Sequence, residues 1–282
     1  MSVSLDLLPA YSPWPARLLG LEPFQQKAKS PAEITREFDV EKWGALLSEV
    51  RQQPSCPSIE ALEDRLAQGQ PEALCSVDGR LELLNPAVAR KQYIDLIASA
   101  IGERLPAPAI VELGCGYGSV LLTLARRFDN AGVRFIGGEF TRSGVELCGL
   151  LAASSGIDAT VGHCDFNASP MTQLDIPAGS ILFTSFATMY VADFEPAFQS
   201  MFALRPSAVI HFEPCIDHCE QQSMLGLLRR KYIIANDYNR NIISVLREHQ
   251  ARGEIRMFQE LPNVFGSNPL LPASMIRWAP VS

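Results

Sequence analysis

The sequence predicts an α/β protein: a mostly parallel seven-stranded sheet with its last strand reversed, helices on both faces, and an N-terminal helical cap carrying a hairpin. Three observations predict this. From residue 86 onward, short apolar runs alternate with runs of helical periodicity, the rhythm of a parallel sheet covered on both faces. The first apolar run opens into three glycines at alternate positions, "VELGCGYG". The last two runs, "GEIRMFQELPNVF" and "ASMIRWAP", leave no room for a helix between them, so they pair antiparallel.

The elements follow in order. Residues 1–30 are Pro-rich and irregular, with Tyr11, Trp14 and Phe24 as possible anchors. "SPAE" is a capping box: Ser30 caps, Pro31 suits the first helical position and Glu33 reaches back. Val40, Trp43, Leu46, Leu47 and Val50 then recur at helical spacing. A second helix starts at Ser58 and stops at Gly69. Asp78-Gly79 between two β-like runs signals a hairpin. The expected cap is residues 1–84, and the nucleotide-binding domain 85–282.

In that domain "NPAVARKQYIDLIASAIGERL" reads as a helix with Ile94, Ile97, Ile101 and Leu105 on one face. Strands follow at "AIVELG", "VRFIGGEF", "DATVGHCDF", "SILFTSF" and "SAVIHFEP", before the closing pair. A helical insertion runs from about 217 to 252 and breaks near Asn236.

Composition bounds the function. The 282 residues carry 24 basic and 31 acidic side chains, a formal charge of −7. An acidic chain without a basic patch repels phosphate backbones, so nucleic acid is not an expected partner. No apolar run is long enough to span a bilayer, and the N-terminus lacks a signal-peptide pattern. Seven scattered cysteines read as reduced thiols of a cytoplasmic protein. His211, Cys215, His218 and Cys219 lack a paired C-x-x-C, so no metal is expected.

Gly114, Gly116 and Gly118 let the chain turn and a ligand approach without meeting a Cβ atom. Their G-x-G-x-G spacing is not the G-x-G-x-x-G of dinucleotide folds, and no Walker lysine follows. Acids stand at three successive strand ends: Glu112, Glu139 (21 residues after Gly118) and Asp165, followed by Phe166. A carboxylate suits a ribose diol or an adenine amino group, and a ring suits the base. Three acids would repel a pyrophosphate; they suit a nucleoside that carries positive charge.

This constellation resembles the class I, Rossmann-like S-adenosylmethionine (SAM)-dependent methyltransferases, over residues 86–282. By that resemblance Gly114, Gly116 and Gly118 line the methionine part, Glu139 holds the ribose, and Asp165 and Phe166 hold the adenine. Phe140, Ser185 and Phe186 fall in segments that face the cofactor. Arg90 and Tyr93, on the preceding helix, are where family members often contact the SAM carboxylate. Tyr11, Trp14 and Arg17 are the cap residues that could close over it. The Gly137-Gly138 pair before Glu139 departs from the family pattern and suggests a closer approach of backbone to ligand.

Candidates for the chemistry are Tyr190, His211, Glu213, Asn236 and Tyr238, with Asn263 a turn residue or a weaker candidate. His211 reads as a base or a satisfied core histidine, and Glu213 as a base or a structural carboxylate. "NDYN" at 236–239 reads as pocket-facing or as a helix junction. Three functions follow: methyl transfer to a small molecule, cyclisation of SAM to azetidine-2-carboxylate and methylthioadenosine, or SAM binding without catalysis. The sequence fixes neither the acceptor nor the oligomeric state.

Overall fold

The computed structural model describes residues 3–24 and 30–281. Two short helices, α1 (Leu8–Tyr11) and α2 (Trp14–Leu18), open the chain. Next come α3 (Pro31–Ile34), a wide π-helical stretch (Thr35–Lys42), α4 (Trp43–Arg51) and α5 (Ile59–Ala67). Ser30 caps α3 by accepting the Glu33 N–H at 3.2 Å, and Ser58 caps α5 by accepting that of Ala61 at 3.2 Å. The hairpin is β1 (Ala73–Val77) and β2 (Arg80–Leu84), turning through Asp78 and Gly79, both at positive φ as a two-residue hairpin turn requires.

The remaining elements alternate: α6 (Pro86–Gly102), β3 (Ala109–Leu113), α7 (Ser119–Arg127), β4 (Arg134–Glu139), α8 (Arg142–Ser155), β5 (Ala159–His163), β6 (Ile181–Ser185), α9 (Glu195–Ala203) and β7 (Ala208–Glu213). Then come α10 (Met224–Ala235), α11 (Ile242–Ala251), β8 (Ile255–Gly266) and β9 (Ala273–Pro280).

All strands join one sheet in the order β2-β1-β8-β9-β7-β6-β3-β4-β5. β3 to β7 pair parallel, and β9 lies antiparallel between β7 and β8. The seven expected strands are therefore present with β9 as their one reversed member. The strand count is corrected to nine. The hairpin does not stand apart in a cap: β1 pairs with β8 through Ser76↔Gly266 and Val77↔Phe265. It covers an edge that would otherwise present unpaired backbone groups. The boundary expected at residue 84 thus falls within one continuous sheet.

Alternation of side chains along each strand sends two apolar sets to opposite faces. Ile110, Phe183, Ile210 and Phe212 pack under α6 and α7 through Ile97, Ile101, Leu121 and Leu124. Val111, Leu182, Val209 and Trp278 pack against α9 and α11 through Phe198, Met201, Ile243 and Leu246. Cap helices α4 and α5 seat Leu47, Val50, Ile59 and Leu62 on Leu122, Leu147 and Leu151 of α7 and α8. The cap is thereby held beside the carboxyl ends of β3 and β4, where open α/β sheets take ligands.

Candidate functional site

β3 ends in a tight loop. The N–H groups of Gly114 and Cys115 both donate to the Gly138 carbonyl, at 2.7 and 3.0 Å, and that of Gly116 donates to Glu139 Oε2 at 2.9 Å. All three loop glycines sit at positive φ. A Cβ at Gly114 would lie 2.3 Å from the Ala187 Cβ; one at Gly116 would lie 3.1 Å from Trp43 Cζ2. These two border a cavity of about 400 Å³ with Glu112, Tyr117, Glu139, Phe140, Asp165, Phe166, Ser185, Phe186 and Tyr190. The resemblance-based set thus largely meets in one place. Gly118 does not border the cavity. It starts α7, and its Cα faces Cys148, whose Sγ would be 2.4 Å from an added Cβ.

The three acids differ in their surroundings. Glu139 already accepts three donors, two at Oε1 from the Thr141 N–H (2.9 Å) and hydroxyl (2.7 Å) and one at Oε2 from the Gly116 N–H, which leaves Oε2 capacity for another. Asp165 Oδ1 accepts the Asn167 N–H at 2.9 Å in a short turn. Glu112 is 2% exposed, and its Oε2 has no hydrogen-bond partner among the described residues. Burial first, then the neighbouring Cys148 and Glu139, holds the Glu112 carboxyl well above the usual range. A buried acceptor left open beside a cavity is a place for a donor from outside the chain.

The cap supplies the facing wall, from residues the sequence reading missed. Pro31, Ile34, Phe38 and Trp43 border the cavity. Their rings continue into the loops: Trp43 lies 5.0 Å from Tyr117, and Phe38 5.1 Å from Tyr190. The π-helical stretch is pinned by Asp39, which accepts the Ser143 N–H through Oδ1 (2.8 Å) and the Ser143 hydroxyl through its carbonyl (2.9 Å). The signal available in sequence was the aromatic pair itself; the wide helical winding that presents both rings has no sequence signature. Tyr11, Trp14 and Arg17 sit elsewhere. Trp14 packs edge-on to Phe24 and Tyr232, with Arg17 over its ring, and Tyr11 is exposed.

Most chemical candidates prove to hold the site rather than border it. Glu213 is 1% exposed and accepts the N–H groups of Ala187, Thr188 and Met189 at 3.0, 3.1 and 3.3 Å. It thereby fixes the loop that carries Tyr190. Burial nevertheless raises its carboxyl. Phe186, in the same loop, is held at φ +52, a left-handed conformation that a bulky side chain adopts only where its surroundings impose it. His211 is fully buried, with Nδ1 2.9 Å from Thr184 Oγ1 and Nε2 3.0 Å from the indole Nε1 of Trp278. The indole can only donate, so Nε2 accepts and Nδ1–H donates to Thr184. Burial pushes the imidazole down to about 3. His211 is a core histidine.

Asn236 closes α10 by donating from Nδ2 to the Tyr232 carbonyl at 3.0 Å. Tyr238 is buried edge-on to Tyr190 and does not border the cavity. The "NDYN" break instead supports the loop: Asn239 donates from its backbone to Met189 O (2.8 Å) and from Nδ2 to Val191 O (3.1 Å). Asn263 lies not in a turn but inside β8, at φ +52 where the ladder slips between Leu261 and Phe265, and its Nδ2 donates to the His218 carbonyl at 2.9 Å.

Arg90 and Tyr93 are also displaced from the cavity. Arg90 Nε lies 2.9 Å from Glu63 Oε2, a charge contact, and Nη2 donates to Thr123 at 2.8 Å. Tyr93 touches the border of the cavity indirectly, through its 2.6 Å hydrogen bond with Ser185 and its ring 5.9 Å from that of Phe186. The glycine pair in β4 serves packing, not ligand approach. Added Cβ atoms would lie 2.8 Å from Leu121 at Gly137 and 2.7 Å from Cys164 at Gly138.

Among the described residues no group of three or more His, Cys, Asp or Glu is placed to hold a metal. No described helix is long and apolar enough to cross a membrane.

No family model matches the sequence, and no curated protein matches it significantly. Solved structures do share the fold. Magnesium protoporphyrin IX methyltransferase from Synechocystis PCC 6803 with bound SAH is 12% identical, over 89% of this chain and all of that one, with a TM-score of 0.54. A SAM-dependent methyltransferase from Clostridium acetobutylicum is 9% identical, over 68% of this chain and 92% of that one, with a TM-score of 0.50. At these identities the likeness establishes the fold.

Proposed function

We propose that the cavity binds SAM and that the protein consumes it, transferring its methyl group to a small molecule. One observation carries the reading. Glu112, Glu139 and Asp165, at or just beyond the ends of three adjacent parallel strands, border one cavity at a glycine loop, and Glu112 keeps an open acceptor there.

The residues fit the ligand. Glu112 suits the α-ammonium, the carboxylate of Glu139 the ribose diol, and Asp165 with Phe166 the adenine. Gly114 and Gly116 let Ala187 and Trp43 close on the loop beside the cavity, where an added Cβ would meet them. Bound there, SAM supplies an electrophilic carbon beside a sulfonium. The chain's own part is orientation and exclusion of water by Phe38, Trp43, Phe186 and Tyr190. Burial keeps the Tyr190 phenol well above its usual range, so it stays protonated and does not act as a base at neutral pH.

A second observation favours cyclisation of SAM as an alternative. Among the described residues no Lys, Arg or His borders the cavity, and its cap side is apolar. The apolar cap side favours a neutral amine, and the carboxylates of Glu112, Glu139 and Asp165, not a histidine or lysine, are the bases at hand. Incubation of the pure protein with SAM alone separates the readings. Methylthioadenosine formed without an acceptor supports cyclisation. S-adenosylhomocysteine formed only with an acceptor supports transfer. Binding without either product points to a non-catalytic SAM protein, and absence of binding ends the proposal.

A further inference from the structure

A cluster of guanidinium groups lies at the opposite end of the sheet from the cavity. β8 runs in the direction of β7, so its first residues stand away from the carboxyl ends of the parallel strands. There Arg256 lies opposite Ala279 of β9, and Arg277, two residues before Ala279, is on the same face. The end of α6 packs against that face. Glu103 Oε2 is 2.5 Å from Arg277 Nη1, and the Arg104 guanidinium stacks 3.8 Å above the Phe258 ring. Phe258 is the extra residue where the ladder steps from Met257↔Trp278 to Gln259↔Arg277. A bulge of this kind turns its side chain out of the regular alternation.

Arg277 and Arg104 thus share Glu103, and Arg256 adds a third guanidinium beside Arg104, in a chain whose net charge is −7. Among the described residues, neither Arg104 nor Arg256 pairs directly with a carboxylate. Arg277 is only 5% exposed, and the Nε atoms of both Arg104 and Arg277 are shielded from solvent without a hydrogen-bond partner. The partial negative charge at the end of α6 offsets only about half a unit. The cluster retains unmet donors and excess positive charge.

We propose that Arg104, Arg256 and Arg277 form a binding site for a phosphate-class oxyanion, with Glu103 as its internal competitor. Planar guanidinium forks match the oxygens of a phosphate, and the Phe258 ring holds one fork flat in advance. The site suits one anionic group, because Arg277 is buried and Arg104 half-buried, leaving only Arg256 exposed. It is independent of the reading of the cavity.

Titration calorimetry of the full chain with inorganic phosphate and with phenyl phosphate, at about 0.15 M ionic strength, tests the site. Arg104→Gln and Arg256→Gln are each expected to weaken binding about tenfold, the loss of a charge-assisted hydrogen bond. Arg230→Gln on α10 is expected to change nothing, and Glu103→Gln to tighten binding by removing the competitor. Thermal midpoints confirm that each variant is folded. Equal affinity for the two ligands means that the group is read whatever carries it; preference for inorganic phosphate means the free ion. No binding at millimolar phosphate, unchanged affinity in both arginine variants, or weaker binding in Glu103→Gln overturns the site.

Discussion

If Glu112 meets the SAM α-ammonium as proposed, it sets stability against ligand binding, and Glu112→Gln separates the two. In the folded protein this carboxyl is 2% exposed with Oε2 unpartnered, and burial raises it well above the usual range. An unsatisfied buried acceptor costs about 1–3 kcal/mol. Glutamine keeps the shape, carries no charge, and can donate to Glu139 or Cys148 nearby. The variant should therefore be more stable by about 1–3 kcal/mol, a rise in Tm of a few degrees for a chain of this size.

The sign with pH follows. A raised folded value means that the native state holds a proton that the unfolded chain releases. Wild-type stability is thus fully present below the ordinary carboxylate range and is lost as pH rises through the folded value. The gain in Glu112→Gln should be small at pH 4 and larger at pH 8. Binding should move the other way. Loss of the carboxylate opposite the α-ammonium should weaken S-adenosylhomocysteine by about ten- to a hundredfold. Methylthioadenosine, which lacks that amine, should bind both proteins alike. Scanning calorimetry and titration calorimetry read the two effects. A variant that is less stable than wild type, or that loses both ligands equally, would refute the reasoning.

Gly118→Ala should destabilise by about 2–3 kcal/mol, since a Cβ at φ +87 meets Cys148 Sγ at 2.4 Å and Leu122 at 3.1 Å. Urea titration measures it, and pairing it with Cys148→Ala should restore part of the loss; no restoration means that φ strain alone acts. Trp43→Ala should weaken S-adenosylhomocysteine severalfold while the thermal midpoint of the empty protein moves little, because the ring lies over Gly116 at the cavity. Tyr190→Phe should slow product formation less than about tenfold, whereas loss of a general base costs about a hundredfold or more. The His211 imidazole, held down to about 3, should show no titrating proton resonance between pH 8 and pH 5. Since the unfolded chain takes up a proton that the native state refuses, its contribution to stability is present above pH of about 6.5 and declines on acidification toward 3.

What was legible in the sequence divides along a physical line. Strand ends and glycine turns are local: the alternation of apolar runs, the three acids and G-x-G-x-G name the sheet and one wall of the cavity, and Glu112, Glu139 and Asp165 meet as expected. The opposite wall depends on tertiary docking. Trp43 was visible only as one apolar position on a helix, and its place over Gly116 follows from the Asp39–Ser143 anchor between segments 104 residues apart. Register between distant strands is equally silent, so β1 on the edge of β8 could not be read from Asp78-Gly79. The polar candidates His211, Glu213 and Asn236 misled for one shared reason. A buried polar side chain in sequence looks the same whether its partner is a ligand or the chain's own backbone. Glu213 has three backbone N–H partners and is closed to anything else, while Glu112, with the same chemistry on the opposite face of the sheet, has an oxygen with none. The carboxylate proposed to meet the ligand is thus distinguished by its missing partner, a quantity that only the assembled neighbourhood defines.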